Sequence, residues 1–131
     1  MPRLSGGRTS FNISKTIVFA VADTLAVTTN ASFEIPVPVD MTCSEIYINV
    51  KTAPTGAAII VDVNLDGTTI FTTQASRPEI AVDGTTDASA TPDVTAFSKN
   101  QILSVDLDQV GSTVAGADLV VSVRCTEKVK K

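Results

Sequence analysis

Residues 57–73 read AAIIVDVNLDGTTIFTT, and within them residues 62–67, DVNLDG, match the first half of a calcium-loop pattern. A loop of the EF-hand type takes oxygen ligands from its first, third and fifth residues and a bidentate Glu from its twelfth, and it lies between two helices. The twelfth residue here is Thr73. The flanking residues alternate apolar and polar with a period of two and are rich in β-branched side chains, which is the pattern of a strand. Val61, Val63 and Leu65 then face one side of a sheet, and Asp62, Asn64 and Asp66 face the other, where carboxylates are solvated. Asp66-Gly67 closes a tight hairpin, because both residues tolerate positive φ. The stretch is read as a half-buried strand running into a turn, with a weak surface ion site as the alternative.

The same period continues outward. Residues 16–22 (TIVFAVA), 33–39 (FEIPVPV), 43–52, 68–73, 78–82, 101–110 and 118–125 read as further strands, separated by turn chemistry at 53–56 (APTG) and 111–117. Pro36 and Pro38 lie on one face of their strand and remove ladder donors, so that strand belongs at a sheet edge. Residues 83–98 (DGTTDASATPDVTAFS) are polar, contain Gly and Pro, and read as a long surface loop. No segment has helical periodicity of useful length. About eight short strands at this spacing predict an all-β fold, an antiparallel β-sandwich of the jelly-roll type. Residues 1–14 read as an extended N-terminal arm, 15–126 as the sandwich, and 127–131 as a basic C-terminal tail.

A chain of 131 residues is one domain by length and buries about two thirds of its unfolded surface. It is 44% hydrophobic but only 5% aromatic, with no Trp, one Tyr and five Phe, so the core is built from aliphatic side chains. Apolar runs fall far short of the roughly 20 residues that cross a bilayer, and the N-terminus lacks the apolar segment of a secretory signal. Synthesis in the cytoplasm, with no membrane partner, is the expectation. Cys43 and Cys125 are too few and too far apart for a disulfide framework or zinc site; buried free thiols are the first reading and a single bridge the second.

The net charge of −4 is unevenly distributed. Residues 1–15 carry Arg3, Arg8 and Lys15 without an acid, and residues 124–131 carry Arg124, Lys128, Lys130 and Lys131 against Glu127, so each end is +3 and the body between them is −10. An acidic body argues against a nucleic-acid partner, since phosphate neutralisation needs clustered Lys and Arg on the folded surface. Basic ends are either solvated tails or contacts to an acidic partner.

Catalytic groups are scarce. With no His in the chain, Ser or Cys has no ordinary base, and no metal or cofactor is expected. Asp106 and Asp108 project to the same face of a strand, as paired carboxylates for glycoside cleavage do, but sugar clefts are floored by aromatic rings that this composition lacks. The chain is expected not to be an enzyme.

Residues 65–73 (LDGTTIFTT), 77–89 (RPEIAVDGTTDAS) and 101–125 (QILSVDLDQVGSTVAGADLVVSVRC) together resemble small structural proteins of tailed bacteriophages, most specifically in the VGST-x-x-G turn at 110–116. The resemblance implies a jelly-roll virion component. A capsid decoration (cement) protein is favoured, a homotrimer that binds the outer shell and clamps neighbouring subunits of the major capsid protein in the expanded capsid. A short domain with an arm at each end fits that role better than the alternative, a module of a tail or head fibre that attaches to carbohydrate on the host surface. In the decoration reading Arg3, Arg8 and Lys15 pair with carboxylates of capsid subunits while Phe11 and Ile13 fill apolar notches.

Overall fold

The computed structural model describes residues 10–130. Its strands are β1 (Ser10–Thr24), β2 (Ile35–Pro36), β3 (Met41–Thr52), β4 (Ile59–Leu65), β5 (Thr68–Thr69), β6 (Glu79–Ile80), β7 (Thr86–Ala90), β8 (Ala96–Phe97), β9 (Ile102–Gln109) and β10 (Ala117–Lys130). One 3-10 turn, Gln74–Ser76, is the only helical element among the described residues. The strands form two five-stranded antiparallel sheets. The first runs β2-β9-β4-β5 with β6 also on β4, and the second runs β1-β10-β3-β7 with β8 also on β3. Among the described strands, only β4 and β5 are consecutive and paired. The all-β antiparallel sandwich expected from the alternation is therefore the observed architecture.

Side chains from both sheets interdigitate in one core, with Phe19, Ile46, Ile48, Val121 and Val123 from the second sheet meeting Ile59, Val61, Val63, Leu103, Val105 and Leu107 from the first. Alternation alone would send Met41 and Cys43 to the opposite face from Ile46, Ile48 and Val50. A one-residue bulge resolves the conflict: Glu45 stands opposite Arg124 and Cys43 opposite Cys125, leaving Ser44 as the extra residue. The Ser44 hydroxyl donates to the Arg124 carbonyl at 2.9 Å.

The opening stretch folds as a hairpin. Asn64 pairs with Thr69 and Leu65 with Thr68, and the turn between them holds Asp66 at φ 52° and Gly67 at φ 82°, the left-handed pair that matches strand twist. The Gly111 turn is tight, because a Cβ there would meet the Val114 carbonyl oxygen. That turn is anchored by Thr55, whose carbonyl accepts from Thr113 and whose N–H donates to Val114. As Pro36 requires, β2 lies at the edge of its sheet.

Several local expectations are corrected. Asp62 is buried, not solvated: it accepts from the Thr69 hydroxyl at 2.6 Å and from its neighbour's N–H, Val63, at 2.9 Å, with Gln74 folded over it. The strand expected at 68–73 pairs only through Thr69, after which Ile70 and Phe71 turn into the core, held by the Asp93 and Val94 N–H groups on the Ile70 carbonyl. The strand expected at 33–39 is reduced to Ile35–Pro36, and Phe33 is 87% exposed. The expected loop 83–98 contains β7 and β8, which cover the outer edge of β3, a strand whose backbone groups would otherwise be unpaired.

The boundaries of the arm and the tail also move. Residues 10–14 and 126–130 do not hang free but form the last five pairs of the β1–β10 ladder. Phe11-x-Ile13 and Val129 between two lysines carry the same period of two as the sandwich strands, so pairing simply continues.

Candidate interaction surface

β1 and β10 run together for almost their whole length, from Thr24 opposite Ala117 to Ser10 opposite Lys130. β3, on the other side of β10, stops earlier: Thr42 opposite Thr126 is its last pair. Past that row, among the described residues, β1 and β10 pair only with each other as a ribbon, with Ile13 opposite Glu127, Asn12 opposite Lys128, Phe11 opposite Val129 and Ser10 opposite Lys130.

Period two divides the ribbon into two unlike faces. Phe11, Ile13, Glu127 and Val129 continue the face that carries Ile17, Phe19, Val121 and Val123 into the core, whereas Asn12, Lys128 and Lys130 lie on the reverse. Inside the sandwich the apolar face is covered. On the ribbon it is open, with Phe11 44% and Ile13 38% exposed. Lys15 reaches Glu127 across this face at 3.5 Å, an exposed ion pair worth at most about 1 kcal/mol. At the ribbon's base, Arg124 on the reverse face meets Glu45 at 2.8 Å and stacks over the Tyr47 ring at 4.6 Å.

β1 is also the edge of its sheet. The Ala20 carbonyl accepts from the Ser32 hydroxyl at 3.2 Å, so the even-numbered residues of β1 turn their backbone groups away from β10. Segment 30–33 covers that edge at Ala20, and a shallow groove lined by Ala20, Ala22, Asn30 and Phe33 remains beside it. Toward the ribbon nothing pairs with that edge among the described residues, and a long free edge is a template for another chain.

Of the expected partner-binding residues, Phe11, Ile13 and Lys15 fall on the projecting apolar face, while Arg3 and Arg8 lie outside the described residues. The sequence reading left out Val129, Lys128 and Lys130, which complete the ribbon; their alternation was present but was assigned to a tail. The carboxylates considered for chemistry are spent on structure. Asp106 accepts from the Asn64 amide at 2.8 Å and the Asn30 N–H at 3.0 Å, and Asp108 pairs with Arg77 at 2.6 Å. Asp62, Asn64 and Asp66 each bond to different partners, Asp66 to the Ile102 N–H, and do not converge on a common point. Among the described residues no three His, Cys, Asp or Glu side chains are grouped to hold a metal ion.

The sequence matches no family model and no curated protein. In fold the chain is similar to a chain of the cyanophage Pam1 capsid asymmetric unit, with a TM-score of 0.50 and 17% identity over 96% of this chain and 90% of that one.

Proposed function

We propose that this chain is a structural protein of a phage virion, a decoration protein that binds the outer capsid shell and clamps neighbouring major-capsid subunits without catalysing a reaction. The observation that carries the reading is the ribbon made from both chain ends, apolar on one face and basic on the other, standing clear of a closed sandwich. The fold likeness to a chain of a phage capsid asymmetric unit supports it. An isolated two-stranded ribbon is marginal in water, so an apolar face of this kind gains from cover by another surface.

Magnitudes decide how such a clamp works. Fully burying a Phe or Ile side chain is worth about 1.5–3 kcal/mol. Phe11 and Ile13 are already more than half covered, so docking one ribbon gains about 1–2 kcal/mol from them in total. Single contacts are weak, and tight binding comes from several chains acting together, as in a homotrimer with three ribbons. Stabilisation of the expanded shell further requires that the ribbon bind that arrangement better than the unexpanded one.

The test is co-sedimentation of the purified chain with expanded and unexpanded shells that lack it, together with the melting temperature of each shell. Preferential binding to expanded shells and a raised shell melting temperature are expected, both abolished in the Phe11→Ser, Ile13→Ser double variant. Equal binding of the variant and the parent would remove the ribbon from the clamp.

A further inference from the structure

Cys43 and Cys125 are partners in the β3–β10 register, both 2% exposed and both facing the core. The Cys43 N–H donates to the Thr95 carbonyl, away from β10, and the alternation set at Ala20 turns the backbone groups of Cys125 toward β1. The two are therefore a non-hydrogen-bonded antiparallel pair, a class whose Cα atoms are typically about 4.5 Å apart, inside the window of about 4.4–6.8 Å that a disulfide spans. The thiols also sit at a mechanical junction. Their row, Lys15–Cys125–Cys43, is followed by one last β3 pair before the ribbon projects alone.

We propose that Cys43 and Cys125 are a redox modification site, oxidised by a small-molecule disulfide to a cross-strand bridge that locks β3 to β10 at the root of the ribbon. In the first step the Cys125 thiolate attacks one sulfur of the reagent, forming a mixed disulfide and expelling one thiolate that takes up a proton. In the second, Cys43 loses its proton and attacks the Cys125 sulfur, expelling the other thiolate. Two protein thiols are oxidised and one reagent disulfide is reduced to two thiols. The neighbouring Cys125 and burial push the Cys43 thiol up, whereas Cys43 lowers that of Cys125, which favours Cys125 as the first nucleophile. Burial makes the native reaction slow, so the reduced form persists until the site opens or an oxidising environment is met.

The inference is independent of the virion role. It is tested on the full chain by incubation with oxidised glutathione, both folded and during refolding from urea, followed by intact mass and thiol titration under denaturing conditions. The expected result is a monomer 2 Da lighter with no glutathione adduct and no free thiol, melting roughly 10 °C higher and restored by dithiothreitol. Cys43→Ser and Cys125→Ser should each keep a single thiol or adduct and show no such rise. Two free thiols, two adducts, or an intermolecular dimer in material refolded to the native melting temperature would overturn the proposal.

Discussion

Phe11 stands directly opposite Val129, one residue from near each end of the described chain, in a ladder that has outrun its neighbouring strand. Phe11 is 44% exposed and Val129 is half-buried, so neither belongs to the closed core. Phe11→Ser and Val129→Ser are therefore expected to lower the melting temperature by no more than a few degrees, the range of surface changes. Urea denaturation compared with a core substitution such as Val121→Ala checks this, and equal losses at the two sites would mean that the ribbon belongs to the core.

Asp62 carries a buried carboxylate. Removing its carboxylate leaves the Thr69 hydroxyl and the Val63 N–H without their acceptor in a site closed to water. Asp62→Ala should cost about 1–3 kcal/mol of unfolding free energy, with Asn retaining part of it. Asp66→Asn, whose left-handed backbone suits either residue, should cost less. Chemical denaturation of the three variants orders them, and a neutral Asp62→Ala would return that side chain to a solvated face.

Phe71 separates two readings of residues 68–73. As a residue of a surface hairpin it would tolerate truncation, but its ring is fully buried after the chain leaves the sheet at Thr69. Phe71→Ala is expected to cost about 3–5 kcal/mol, the cavity range for large aromatic truncations. Calorimetry on the variant measures the loss, and a loss below about 1 kcal/mol would contradict the buried position.

The acid limb of stability should carry a contribution from Asp93. Donation by the Thr73 N–H at 2.7 Å holds its carboxyl below the ordinary carboxylate value. A group whose folded pKa is depressed stabilises the fold above its unfolded pKa, and that contribution is lost as pH falls through the folded value. Stability at neutral pH should thus exceed that at acid pH by an increment that Asp93→Asn removes. Titration of the Asp93 side-chain carbon by NMR in the folded chain checks the direction, and an ordinary or raised pKa would refute it.

The sandwich was legible because its signal is local: Val61, Val63 and Leu65 alternate with polar neighbours, and Asp66-Gly67 has the turn chemistry that such a strand needs. What alternation could not reveal was the surroundings of each face. Asp62 lies on the predicted face, yet Thr69 from the return strand of the hairpin and Gln74 from beyond it close over it. β7 and β8 form in a polar segment with little strand propensity because the free edge of β3 supplies their partner. The ribbon was half visible. Phe11 and Ile13 were singled out, but their pairing with residues 127 and 129 spans more than a hundred positions and has no local signature.

The decoration role is tested most directly by electron cryo-microscopy of intact particles that carry the chain. The account predicts regularly spaced sandwich density over the outer shell, with Phe11, Ile13 and Val129 buried against neighbouring capsid subunits and the basic reverse face near their carboxylates. Density confined to the tail or to isolated spikes, or a shell-bound sandwich whose ribbon points into solvent, would contradict it.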